Sequence, residues 1–258
     1  MGIAQPLYPL EKSKIAQRFA KAEKSYDQSA IAQQHICQKL RQLLLQQVDL
    51  LQCKKVLEIG CGTGELTRQL MDIISSEQWI VNDLYASQYI QALCQNSVYR
   101  FIQGDAEQWP FSGNFDLVVS ASTFQWFEQP QRFLDMVASH LSPNGMLLFS
   151  TFAPENLNEI RFLTEIGLTY PKLQQWRQWL EQRFTIISLE QDQINLDFSS
   201  PLAVLQHLKQ TGVTAVKQQP WNKQRLTTFC QQYRQSFTTT QQQVSLTYHP
   251  IYCLAIRK

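Results

Sequence analysis

A chain of 258 residues with a formal net charge of +2 has no basic surplus for gripping a phosphate backbone, so no nucleic-acid partner is expected. Hydrophobic residues make up 44% and charged residues only 17%, the balance of a globular chain with a sizeable core. The longest apolar runs, such as Met146-Leu147-Leu148-Phe149, are far too short to span a bilayer, so no membrane association is expected.

The first residues, Met1-Gly2-Ile3-Ala4-Gln5-Pro6, lack the pattern of a signal peptide, and residues 1–10 read as a loose tail. The six cysteines are scattered with no CxxC pair, which predicts reduced thiols and a cytoplasmic location. His35, His140, His207 and His249 show no ligand spacing, so no metal is expected.

Residues 11–51 read as a helical leader. Ile15, Phe19, Ala22 and Tyr26 fall on one stripe, and Lys14, Arg18 and Lys21 on a neighbouring one. A second helix is predicted over Ser29–Gln47. Strands and helices then alternate. Strands are predicted at Lys55–Ile59, Trp79–Asp83, Arg100–Gln103, Phe115–Ser120 and Met146–Thr151. Helices are predicted at Gly64–Ile74, Ser87–Cys94 and Pro130–Leu141, with Ser142-Pro143-Asn144-Gly145 as a turn. Such alternation predicts an α/β fold with a parallel sheet and a ligand crevice at the strand carboxyl ends. Beyond Thr151 the rhythm breaks. Helices are expected at Glu155–Leu168, Lys172–Arg183, Pro201–Gln210 and Arg225–Phe237. One or two strands are expected within Arg183–Phe198 and a last apolar strand segment, interrupted by Pro250, at Val244–Ile256.

The first strand ends in Glu58-Ile59-Gly60-Cys61-Gly62-Thr63-Gly64-Glu65, an acid followed by three alternate glycines and a helix start. Glycines there admit positive φ and let a ligand approach with no Cβ in the way. The helix N-terminus offers unpaired N–H groups. The spacing is not the G-x-G-x-x-G of dinucleotide enzymes. Asp83 ends the second strand nineteen residues after Gly64, where a carboxylate can accept from both ribose hydroxyls. Gly104-Asp105-Ala106 follows the third strand, and Ser120-Ala121-Ser122-Thr123-Phe124-Gln125-Trp126-Phe127 the fourth.

The Glu58-x-Gly60-x-Gly62-x-Gly64 pattern resembles motif I of class I S-adenosyl-L-methionine (SAM) methyltransferases. That resemblance implies a Rossmann-like fold with a seven-stranded, mostly parallel sheet and helices on both faces. An antiparallel pair near Phe184–Glu190 and Tyr252–Arg257 would close the sheet. It also implies SAM as cofactor and S-adenosyl-L-homocysteine as its product. Gly60, Gly62 and Gly64 would pass under the methionine part, with Glu58 holding the loop and the cofactor. Asp83 with Leu84 would take the ribose, and Asp105 with Ala106 the adenine, with Ser120 beside them. Gln125 and Trp126 would line the methyl's path, Phe127 would pack in the core, and Cys61 would have no catalytic part. The post-strand stretch lacks the Asn/Asp-Pro-Pro-Tyr/Phe of nucleobase amino-methyltransferases.

Narrower signatures accompany it. They are the leader Lys14-Ile15-Ala16-x-x-Phe19-x-x-Ala22-x-x-x-Tyr26-Asp27, the cap Leu208-Lys209-x-Thr211-Gly212-Val213 and the tail Leu246-Thr247-Tyr248-His249. With the core segments they resemble the malonyl-acyl-carrier-protein O-methyltransferases of biotin synthesis over nearly the full length. The resemblance implies residues 1–51 as a leader or lid and 52–258 as the methyltransferase domain, with a helical cap insertion at about 195–243. It implies a malonyl-bearing acyl-carrier protein, or malonyl-CoA, as partner and substrate. Lys14, Arg18 and Lys21, or Lys209, Lys217, Lys223 and Arg225, could meet the acidic carrier. Tyr26 would close over the cofactor, and Arg18, Lys209 or His249 would orient the malonyl carboxylate, although His249 could equally be a satisfied strand histidine. An enzyme of the same architecture acting on a quinone carbon or a free dicarboxylate is the alternative. So is a silent methyltransferase-like binding module.

Overall fold

The computed structural model describes residues 11–46, 53–108, 112–212 and 221–258. The expected tail at 1–10, the end of the second helix at Gln47, Val213 and Lys217 lie outside the described residues.

Seven strands form one sheet: β1 (Lys55–Ile59), β2 (Gln78–Asp83), β3 (Tyr99–Gln103), β4 (Phe115–Ser120), β5 (Leu141–Phe152), β6 (Phe184–Gln191) and β9 (Pro250–Arg257). Their order is β3-β2-β1-β4-β5-β9-β6. The first five pair in parallel, and β9 runs antiparallel between β5 and β6. The strand order therefore reverses between β1 and β4, and a crevice opens there at the carboxyl ends.

Central strands are apolar because both faces are covered. On β1 the side chains alternate, Val56 into one core and Leu57 and Ile59 into the other. The first core takes in α2 (Ile31–Leu45), through Ala32, Ile36, Leu40, Leu43 and Leu44, and α3 (Glu65–Met71) through Leu66 and Leu70. A short helix, α4 (Gln88–Leu93), follows β2, with the Ser87 hydroxyl accepting from Ile90 N–H as its cap. The second core takes in α5 (Pro130–His140), through Phe133, Leu134 and Val137, and α7 (Leu173–Leu180) through Trp176 and Trp179. Between β5 and α7 lies α6 (Asn158–Thr164).

Ahead of β1, α1 (Lys12–Ser29) lies across the crevice rather than on a sheet face. Its Ile15 and Phe19 pack with Trp126 and Leu168 in a small separate cluster. The cap holds β7 (Ile194–Phe198), α8 (Pro201–Gln210), α9 (Lys223–Phe237) and β8 (Val244–Tyr248), with β7 and β8 paired antiparallel as a second sheet. Helix α8 packs on α1, and the α8 stop at Gly212 abuts the Phe19 ring.

Three elements depart from the sequence reading. The segment Val244–Ile256 divides into β8 and β9, which belong to different sheets. The break falls where Pro250, which has no N–H, begins the second of them. The Ser142–Gly145 turn lies inside β5. Pairing starts at Phe115↔Leu141 and resumes at Leu117↔Met146, so the turn is extruded as a bulge, with Asn144 at φ 61. The helix expected over Glu155–Leu168 shrinks to α6, because Leu157 and Glu165 at its two ends are left-handed.

Candidate active site

The glycine loop connects β1 to α3. Gly60 and Cys61 donate their N–H groups to the Asn82 carbonyl of β2, at 2.8 and 3.0 Å. Gly60 takes φ 70, and a Cβ there would lie 2.0 Å from Thr123 Oγ1. Gly62 takes φ 53 and nothing lies within 4 Å of where its Cβ would be. One glycine is thus demanded by the protein, the other by the empty space before it. Gly62 N–H donates to Asp83 Oδ2 at 2.7 Å, so the acid at the end of β2 also holds the loop. Desolvation pushes the Asp83 carboxyl up to about 6, opposed by the Gly62 and Tyr85 N–H groups.

Two expected loop residues face away from the cleft. Glu58 is buried under the loop, where Oε2 accepts from the Thr67 hydroxyl at 2.8 Å. Burial pushes its carboxyl up to about 8, against that hydrogen bond. It ties β1 to α3. Gly64 caps α3, and a Cβ on it would meet the Tyr89 ring at 2.5 Å. Ser120 likewise is buried, its hydroxyl donating to the Ile59 carbonyl at 2.9 Å.

The cleft itself has a volume of about 110 Å³. Gly60, Gly62, Asp83, Leu84, Asp105 and Ala106 line its sheet side, as the sequence reading expects. From α1 come Ile15, Phe19 and Tyr26, and from the segment after β4 come Trp126 and Phe127. Phe127 was expected in the core; it stacks on Phe124 and also borders the cleft. These residues fit an adenosyl sulfonium: a bare backbone concavity at Gly62, an acid at hydroxyl-accepting position and a second acid at the far end.

Sequence reasoning missed Lys12. Its Nζ lies 2.8 Å from both oxygens of Asp105 and also pairs with Glu107. Glu107 in turn accepts from Glu128 N–H and Gln129 N–H at 3.0 and 2.8 Å. Lys12 continues the stripe of Ile15, Phe19, Ala22 and Tyr26 one step towards the N-terminus, a signal that was present in the spacing. At the other end of α1, Asp27 Oδ1 accepts from the Thr63 hydroxyl at 2.6 Å. The helix is therefore fastened to the cleft rim at both ends, over Asp105 and over the glycine loop.

Beyond β4 the chain is strained. Ser122 sits at φ 52, held by its N–H donating to the Ser150 carbonyl and hydroxyl at 3.2 and 3.0 Å. Gln125 donates its amide to the Ser122 carbonyl. Tyr26 and Trp126 line both the cleft and a second, smaller chamber behind it, while Gln125 lines only the second.

The three candidates for the malonyl carboxylate line neither space. Lys209 is exposed on α8. His249 is buried at the β8–β9 junction, with Nδ1 2.6 Å from Glu155 Oε2 and its N–H donated to Asn156. Arg18 has a buried Nη1 with no hydrogen-bond partner among the described residues.

Residues 57–149 match the family described as "Methyltransferase domain". The YcgJ protein from Bacillus subtilis, 17% identical, superposes with a TM-score of 0.61 over 86% of this chain and 99% of that one, which concerns the fold alone. Whole-length relatives say more. A malonyl-(acyl-carrier protein) O-methyltransferase from Haemophilus ducreyi is 48% identical over 96% of this chain and 98% of its own length. One from Porphyromonas gingivalis is 41% identical over 99% and 100%. At that identity and coverage, with the cofactor cleft assembled, the chain belongs to the malonyl-(acyl-carrier protein) O-methyltransferase family.

Proposed function

We infer that this chain is a SAM-dependent O-methyltransferase that esterifies the free carboxylate of malonyl-acyl-carrier protein, an early step towards the pimeloyl part of biotin. The full-length relation to enzymes of that name carries the reading. The cleft that brings Gly62, Asp83 and Asp105 together supports it.

Bound SAM supplies a methyl carbon made electrophilic by its sulfonium. The Gly60–Gly62 ribbon would cradle the methionine part, Asp83 the ribose hydroxyls, and Asp105 with the Ala106 N–H the adenine edge. Asp105 is already charge-paired with Lys12, so the same contact would close α1 over the adenine. A malonyl carboxylate is ionised near neutral pH, so no base need take a proton. The protein's part is alignment and exclusion of water, which α1 and Trp126 provide by roofing the cleft.

A carrier protein is acidic and long-armed. The exposed Lys21 on α1 and Lys209 on α8, two helices packed on one another, offer it a basic landing face beside the cleft. Lys14 is committed in part to Glu11, at 2.7 Å. No helix among the described residues is long and apolar enough to cross a membrane, in keeping with work in the cytoplasm on a diffusing carrier. The test is transfer of isotopically labelled methyl from SAM to malonyl-carrier protein, malonyl-CoA and free malonate. The expected result is a base-labile ester on a malonyl thioester. Label on free malonate alone, or on no malonyl compound, would refute it.

A further inference from the structure

Behind the cleft lies the second chamber, a small space of about 30 Å³. Phe19, Tyr26, Ser122 and Trp126 line both spaces, so they form the neck between them. The inner lining adds Gln33, Gln125, Asn156, Tyr170 and Tyr248, with Phe152 and Leu168. Its exposed lining is mostly apolar, with a few polar groups set into it, and none of its lining side chains carries a charge.

Its polar atoms are unusually short of partners. Ser122 Oγ, Gln33 Oε1 and Gln125 Oε1 are buried with no hydrogen-bond partner among the described residues. Gln33 is 8% exposed. Buried polar atoms are ordinarily satisfied, and three orphans around one chamber mark a place where a ligand supplies the partner. The Gln33 side chain also hydrogen-bonds Tyr248, so one end of its amide is engaged and the other is left to a ligand, as acceptor or, by a flip, as donor. Tyr170 accepts from Asn156 Nδ2 at 3.0 Å and keeps its own O–H to give. Tyr248 is engaged by His207 Nε2 at 2.8 Å and is a wall. The left-handed backbone of Ser122, held by its N–H on Ser150, sets the orphan hydroxyl at the neck.

We propose that this chamber is the acyl subsite, where the malonyl carboxylate is held by neutral donors, the Ser122 and Tyr26 hydroxyls at the neck with Tyr170 and Gln33 behind them, and has no cationic partner. The proposal rests on the malonyl reading above. Its chemistry explains the lining. A carboxylate oxygen forms the new C–O bond to the methyl carbon, the C–S bond breaks with its electron pair left on sulfur, and no proton moves. Opposite charges vanish as the bond forms. A lysine or arginine on the carboxylate would stabilise the charged ground state that the reaction must leave. It would then be stranded, buried and unpaired, against a neutral ester. Neutral hydroxyls orient the oxygen without that penalty, and a chamber poor in water favours the recombination of charge.

The test uses the whole enzyme with malonyl-carrier protein as substrate, and malonyl-pantetheine as a binding probe in the presence of S-adenosyl-L-homocysteine. Ser122→Ala and Tyr170→Phe should each lower kcat/KM about tenfold or more, mainly through KM, the usual cost of one hydrogen bond to a charged group. Malonyl-pantetheine affinity should fall in parallel, while SAM affinity by calorimetry stays within about twofold. Gln125→Glu, which keeps the shape and adds a like charge, should cost about a hundredfold. Circular dichroism and melting check the fold; should Ser122→Ala fail to fold, Tyr170→Phe decides. If all folded variants keep kcat/KM and probe affinity within twofold of wild type, the chamber is not the acyl subsite. A wild-type enzyme that methylates no malonyl thioester would instead remove the parent reading, a different result on a different sample.

Discussion

Asp83 does two jobs with one carboxylate. It accepts from Gly62 N–H, and it faces the cleft where ribose hydroxyls would come. Its elevated value of about 6 in the unliganded protein sets a pH signature. Only the ionised form accepts freely, so SAM affinity should hold above about pH 6 and fall below it, by up to about tenfold per unit. Asp83→Asn should bind SAM weakly at all pH values and lose that bend. Calorimetry from about pH 5 to about pH 8 reads both, and a wild-type affinity flat through pH 6 would contradict the role.

Glu58 carries a stability prediction of the opposite kind. Its folded value near 8 lies above the unfolded carboxylate value, so the native state holds a proton that the unfolded chain has lost. The resulting contribution is fully present below about pH 4.5 and is lost as pH rises towards 8, a few kcal/mol at most. Glu58→Gln should therefore gain on wild type steadily between those values in denaturant titrations. A difference independent of pH would show that Glu58 ionises freely. These residue-scale features were partly legible. An acid before a glycine loop and another at the end of β2 stand out in the sequence. That Glu58, Gly64 and Ser120 serve the frame rather than the cleft was not legible, because spacing does not say which way a side chain turns.

At the scale of elements, α1 turns an open cleft into an enclosed one. Lys12 fastens its start to Asp105 and Glu107, and Asp27 fastens its end to Thr63. Lys12→Ala should weaken SAM binding about tenfold, chiefly by faster release, since a partly buried charge-assisted contact is worth 1–3 kcal/mol. Stopped-flow displacement would read it; an unchanged off-rate would mean that α1 is not a closing element. The same helix bears part of the proposed carrier face. Lys21→Glu and Lys209→Glu should slow methylation of malonyl-carrier protein more than that of malonyl-CoA, and the gap should narrow with salt. Equal losses on both substrates would count against docking there.

Element boundaries were legible where composition changes sharply. β1, β4 and α8 were read to the residue, each an apolar or periodic run ended by glycine, polar or capping residues. The break at Pro250 between β8 and β9 was legible, but that β8 joins a separate sheet with β7 was not, since both halves are equally apolar. The turn inside β5 looked like a chain reversal because its residues are turn formers, while tertiary pairing on either side of it carried the strand through.

For the whole molecule, the order of strands places the cleft, and the leader and cap decide what reaches it. The cleft was foreseeable because its residues cluster in four short motifs on consecutive strands. The inner chamber was not. Gln33, Ser122, Asn156, Tyr170 and Tyr248 come from helix, loop and strand segments spread along the chain, and no local pattern joins them. The reading that everything else depends on is an adenosyl sulfonium held against the Gly60–Gly62 ribbon. A crystal structure with bound S-adenosyl-L-homocysteine tests it most directly. The account predicts ribose oxygens on Asp83, adenine beside Asp105 under α1 and the sulfur facing the Ser122 neck. Density elsewhere on the protein, or an empty cleft at saturating ligand, would contradict it.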